Sequence, residues 1–142
     1  MAGPQFFTPK SVRPSRPRRR FTVQQANQSL PLVKRVVADI VRTHAEAANL
    51  QQQLEHLSVK EQRAVQGSLE QAMHRLEDYV DELSEIGCVL KDYQTGLIDF
   101  TARHQGRDVC LCWKLGEEEI AYWHEMETGF AGRKPVSLLK AE

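Results

Sequence analysis

The 142-residue chain has no run approaching the roughly 18 apolar residues that a membrane-spanning helix needs, which predicts a protein with no membrane segment. Its first residues lack the apolar stretch of a secretory signal, Pro and Arg standing where that stretch would be, so the sequence predicts a soluble, cytoplasmic protein. Cysteine is scarce. Three residues, Cys88 alone and Cys110 and Cys112 two apart, make no disulfide framework and fit a reducing compartment. Net charge is lacking as well, 19 basic residues balancing 19 acidic ones. The balance is uneven along the chain: residues 1–20 hold Lys10, Arg13, Arg16, Arg18, Arg19 and Arg20 and no acid, leaving 13 basic against 19 acidic residues for the rest. A basic arm on an acidic body argues against nucleic-acid binding by the folded part through net charge.

Residues 1–20 also carry four Pro and few hydrophobic residues, so burial cannot offset the entropy of ordering them, and they are expected to form a disordered basic arm. The arm reads either as a solvated tail or as a phosphate-binding attachment to nucleic acid. Residues 21–142 are expected to form a single α+β domain, with a helical hairpin over 21–87 and a small sheet and C-terminal loop over 88–142. Thr22-Val23-Gln24-Gln25 has the pattern of a capping box. Ala26, Leu30, Val33, Val37, Ile40, Val41, Ala48 and Leu54 then recur at helical spacing, with Pro31 inside the run expected to kink or end it. His44 falls beside this stripe and is read as a partly buried histidine before a ligand. Ser58-Val59-Lys60-Glu61 is a second capping pattern, and Val65, Leu69, Ala72, Met73, Leu76, Tyr79, Val80, Leu83 and Ile86 make a second stripe that Gly87 is placed to end. Two helices of about 30 residues would each span roughly 45 Å. Alone they cannot close a core, which predicts a homodimer through the hairpin.

After Cys88 the pattern changes to short β-prone runs separated by turns, with Val109, Leu111 and Trp113 alternating against Cys110, Cys112 and Lys114. About four strands in a mostly antiparallel sheet are expected, the last of them over Ile120–His124, where a short helix is the alternative. Special residues gather in Cys110–Arg133, a stretch holding two Trp, two Cys, His124, Tyr122, Phe130, three Gly and a Glu run. Gly129-Phe130-Ala131-Gly132-Arg133 reads as a loop with unusual backbone angles that wraps over something.

Phe21-Thr22, Ala26-Asn27, Leu30-Pro31, Val89, Lys91-Asp92, Gly96-Leu97, Asp99-Phe100, Gly106-Arg107, Leu111-Cys112-Trp113, Gly116-Glu117, Ile120, Trp123-His124, Gly129-Phe130 and Gly132-Arg133 form a pattern covering nearly everything after the arm. In these residues the chain resembles a family of short bacterial proteins, the domain-of-unknown-function family 2203. The resemblance implies a small intracellular bacterial protein and no assigned activity.

Five residues are candidate metal ligands: Asp92, Asp99, Cys112, Glu117 and His124 offer the mixed oxygen, sulfur and nitrogen donors that suit zinc or another borderline divalent ion. No zinc-finger or HExxH spacing accompanies them, and the alternative reading makes Cys112 a core residue and the Glu run solvated surface. Cys112 and His124 meet only if their strands pair in the right register. Arg107, Trp113, Trp123, Phe130 and Arg133 are candidates for a concave small-ligand site; the alternative pairs the two Arg with Asp99, Glu117 or Glu125 to pin the loop. A Cys110–Cys112 redox pair and a Cys112 nucleophile served by His124 and Asp99 are further readings. The function expected is a cytosolic binding or assembly protein with a ligand or metal pocket in this motif. A small metal-dependent enzyme is the alternative, and nucleic-acid attachment through residues 1–20 the third.

Overall fold

The computed structural model describes residues 19–139. The expected arm, apart from Arg19 and Arg20, lies outside the described residues. Arg20 reaches both carboxylate oxygens of Asp108 (2.8 and 3.4 Å), and the Phe21 amide donates to the Thr101 carbonyl at 2.7 Å, so the described chain meets the sheet just ahead of the first helix.

The first helix, α1, runs over Val23–Leu54 and the second, α2, over Val59–Ile86. Thr22 caps α1 as a full capping box: its hydroxyl accepts from the Gln25 amide (3.1 Å) and the Gln25 side chain accepts from the Thr22 amide (3.0 Å). Pro31 does not end α1, which is 32 residues long and runs on to Leu54. Its missing N–H releases the carbonyl of Asn27 one turn back. Ser58 caps α2 differently from the expected box, because the Glu61 carboxylate accepts from the Ser58 hydroxyl (2.8 Å) instead of from the backbone amide. Gly87 ends α2 at φ 116°, and a Cβ there would stand 2.9 Å from the Phe21 ring. The turn between the helices is tied by the Gln62 amide group, which donates to the Leu54 and Leu57 carbonyls at 3.1 and 3.2 Å.

The buried face of α1 is Ala26, Leu30, Val33, Val36, Val37, Ile40, Thr43, His44 and Ala47. Val41, Ala48 and Leu54 of the expected stripe are only half-buried, because a 3.6-residue period carries the buried line through Ala47. In α2 the fully buried positions are Leu69, Ala72, Leu76 and Leu83. His44 enters the seam and stacks on Tyr93, ring centroids 5.0 Å apart and ring planes nearly parallel. Burial lowers its pKa, partly opposed by the charge of Asp92.

Five strands follow in the order of the chain, every neighbouring pair antiparallel: β1 Cys88–Asp92, β2 Leu97–His104, β3 Arg107–Lys114, β4 Tyr122–Glu125 and β5 Lys134–Pro135. The fifth, two residues long, is one more than expected. Tyr122–Glu125 is a strand, so the helical alternative does not hold. Register places Ile98 opposite Trp113, Phe100 opposite Leu111 and Leu111 opposite Trp123, and these side chains share one core with the helices. Phe21 closes that core edge-on against Phe100 at 4.9 Å. The other face of the sheet, the outer face, carries Asp99, Thr101, Cys110, Cys112 and His124. All five are buried. Among the described residues no helix is long and apolar enough to cross a membrane.

Candidate metal centre

Strand alternation delivers the outer-face cluster. Asp99 on β2 stands opposite Cys112 on β3, which stands opposite Tyr122 on β4; two residues on, Thr101, Cys110 and His124 form the next row. His124 is therefore diagonal to Cys112, close enough for long side chains to meet. The carboxylate of Asp99, the Cys112 sulfur and a His124 ring nitrogen lie within 4.8 Å of one another, the one such group of three among the described residues. They are 5%, 0% and 2% exposed.

His124 fixes the chemistry. Its Nδ1 is 2.7 Å from the Glu125 carbonyl oxygen, which can only accept, so Nδ1 carries the proton. That carbonyl also accepts from the Thr128 amide and hydroxyl, each at 3.3 Å, and is held in place by the turn after β4. A neutral imidazole then has its lone pair on Nε2, and Nε2 faces Asp99 Oδ1 at 3.1 Å. A lone pair opposite a carboxylate repels unless a proton or a metal ion lies between them. An imidazole anchored to a backbone carbonyl through one nitrogen and free to ligate through the other is the usual arrangement of a metal-bound histidine.

Burial pushes the Cys112 thiol up to about 12, and the negative charge of Asp99 adds to the effect; Arg133 opposes it, and Glu117 and a hydrogen bond to Asp99 reinforce it. A thiol raised this far stays protonated near neutral pH, which weighs against the nucleophile reading. The His124 nitrogen that could serve the thiol, Nε2, faces Asp99 Oδ1 at 3.1 Å. Cys110 and Cys112 stand unbridged. All three cysteines are free, and the Cys110 thiol donates to the Met126 sulfur at 3.3 Å.

The remaining predicted residues separate from the cluster in different ways. Asp92 belongs to the β1–β2 turn, accepting from the Gln94 amide (3.1 Å) and the Thr95 hydroxyl (2.7 Å), which hold its pKa down. Glu117 lies beside Cys112 but spends its carboxylate on Arg133 Nη2, at 2.7 and 2.8 Å, and on the Lys114 amide at 2.9 Å. Arg107 grips Glu125 through two bonds of 2.8 and 2.6 Å at the far end of β3. Trp113 and Trp123 point into the shared core, Trp113 giving its indole N–H to the Glu117 carbonyl at 3.0 Å. They wall no common pocket with Phe130 and Arg133, which lie on the outer side. Both arginines instead take the pinning role. Tyr122 was missed from sequence: its ring lies 4.1 Å from the Arg133 guanidinium, with Phe130 at 4.6 Å. The signal available was its period-two offset from His124.

A helical hairpin followed by an antiparallel meander with a mixed-donor cluster on its outer face defines the class of protein. The family described as Uncharacterized conserved protein (DUF2203) matches residues 19–136, and the chain belongs to that family. The matched span includes the whole cluster and Arg133. No curated protein and no solved structure matches the chain.

Proposed function

We propose that the chain is a metal-binding protein, its centre formed by Asp99, Cys112 Sγ and His124 Nε2 around one borderline divalent ion, zinc foremost. The observation that carries this reading is the approach of His124 Nε2 to Asp99 Oδ1 while Nδ1 is committed to a carbonyl. Hard, borderline and soft donors in one set suit zinc better than magnesium or calcium. Zinc bonds of about 2.0 to 2.3 Å place tetrahedral donors roughly 3.4 to 3.6 Å apart, within reach of side-chain rotation from the present separations. Loading releases the Cys112 proton, and a divalent ion with one thiolate and one carboxylate leaves the buried site neutral. The ion would tie β2, β3 and β4 together. Elemental analysis of the untagged protein tests the reading: near-stoichiometric metal lost in His124→Ala is expected. A folded wild type that carries no metal and takes up no added Zn²⁺ overturns it.

Two further parts of the reading have their own support. Three protein donors leave one tetrahedral position, which favours a small metal-dependent enzyme as the second reading. Leu50, Leu54, Leu57 and Val65 are only half-buried around the hairpin tip, and Val59 is 77% exposed, which supports assembly into a homodimer through the helices. Light scattering that finds a monomer at every concentration removes that part. Three free thiols, all buried, suit a reducing compartment such as the cytoplasm.

A further inference from the structure

We infer that residues 126–139 form a strap over the outer face and that the Arg133–Glu117 ion pair latches it, setting how fast a metal ion enters and leaves. The inference rests on the metal-binding reading above. The helices cover the opposite face of the sheet, so the burial of Asp99, Cys112 and His124 needs another cover. The chain supplies one after β4. It turns at Thr128, passes Gly129 at φ 63° and a 3-10 turn over Phe130–Gly132, and returns against β4 as β5. Gly132 is packed so closely on Thr128 that a Cβ there would stand 2.4 Å from the threonine oxygen. This return lays Arg133 across the cluster, Nη2 3.4 Å from the Cys112 carbonyl oxygen, between the rings of Tyr122 and Phe130.

The strap is lightly attached. Besides the two-residue pairing of β5 and the Val136 amide on the Ala121 carbonyl (3.0 Å), its main polar anchor is Arg133 on both oxygens of Glu117. Met126, Phe130 and Leu138 are 39%, 44% and 62% exposed, and the apolar hold comes from Val136 and Leu139, half-buried against the core at the far end of the strap. Arg133 Nε is buried without a hydrogen-bond partner, which weakens the closed state further. Segments with few buried contacts open locally without unfolding the domain. Glu117, by contrast, is fixed to β3 through the Lys114 amide, and its loop is held to α1 by Asn27 and Lys34. The latch therefore joins a loose strap to a firm post.

A gate and a structural prop differ in kinetics. Opening a gate speeds entry and exit together, whereas losing a prop raises only the exit rate. The test uses the full chain and Co²⁺, followed by the thiolate-to-cobalt absorption, with exit measured by chelator competition. Glu117→Gln removes the ion pair and keeps the side-chain shape; Gly132→Ala lifts the strap without touching a charge. Both variants are expected to bind and release Co²⁺ at least tenfold faster than wild type. Entry rates within twofold of wild type in both variants overturn the latch, as does a rise in exit rate alone. In the wild type, hydrogen exchange should be faster at the Arg133 and Val136 amides than at Cys112; equal protection also overturns it, whether or not the variants fold. A wild type that shows no cobalt–thiolate absorption overturns the metal-binding reading and this inference with it, whereas bound cobalt with unchanged rates overturns the latch only.

Discussion

The Asn27 side chain on α1 accepts a hydrogen bond from the Ile120 backbone amide at 2.7 Å, joining the first helix to the loop that carries Glu117. Further along α1, the Lys34 ammonium donates to the Glu118 carbonyl at 2.7 Å. Ile120 is buried, so Asn27→Ala leaves its amide without a partner. The expected loss is about 1–3 kcal/mol, read from urea unfolding. A change below about 0.5 kcal/mol would show that the loop does not depend on this bond.

Gly87 tests the end of α2. Its φ is 116°, and the Phe21 ring stands 2.9 Å from where a methyl group would sit, so there is no room for a side chain. Gly87→Ala is expected to cost about 1–3 kcal/mol in unfolding free energy, with the sheet next to it affected first in hydrogen exchange. Arg75→Ala, which removes the exposed pair with Glu46, is the control. It should change stability by about 0.5 kcal/mol or less.

Both ends of the helices were legible because the residues involved act locally. Thr22 and Gln25 are three apart and need only each other, and Gly87 announces a left-handed turn by having no Cβ. The alternation of Val109, Leu111 and Trp113 against Cys110 and Cys112 was legible for the same reason, and it put Cys112 on the face that became the candidate centre. Residues 129–133 read as a loop that wraps over something, but the sequence could not reveal that this face is what it meets. Alternation assigns faces without saying which is wet, and here both are buried, one under the helices and one under a return segment whose strand is two residues long and contains Pro135. The conspicuous residues divided by the same rule: Trp113 and Trp123 went to the core, and Arg133 to the outer face. Asp92, a sound ligand type, was claimed by its own turn through Gln94 and Thr95.

Alkaline pH should expose the cost of ionising Cys88. Burial pushes its thiol up from 9.0 to about 12 in the folded chain. The folded state therefore favours the protonated thiol, and the associated stability is fully present below pH 9 and is lost as pH rises from 9 towards 12. At a pH of about 10.5 the loss from this group is about 2 kcal/mol. Cys88→Ala should be less stable than wild type near neutral pH and should lose less stability between a pH of about 8 and about 10.5. Parallel pH profiles for the two proteins would contradict this assignment.

Asp99→Asn separates the two ways of filling the space between Asp99 and His124. If an imidazolium sits opposite the carboxylate, the pair is a buried ion pair, and removing one charge should destabilise the metal-free protein by about 3–5 kcal/mol. If His124 is neutral, with its lone pair on Nε2, the native carboxylate opposes another acceptor, and only a cation relieves it. An asparagine amide at position 99 would then donate to Nε2 and satisfy both groups without metal. The metal-binding reading thus predicts that metal-free Asp99→Asn, at a pH of about 8, is as stable as wild type or more stable by about 1 kcal/mol. Its zinc affinity should fall on the order of 100-fold, because an anionic ligand has become neutral. Unfolding curves in excess chelator, set beside a zinc titration of the same samples, decide between the two. A destabilised variant with unchanged zinc binding would make Asp99–His124 a structural ion pair and leave Cys112 as a core residue.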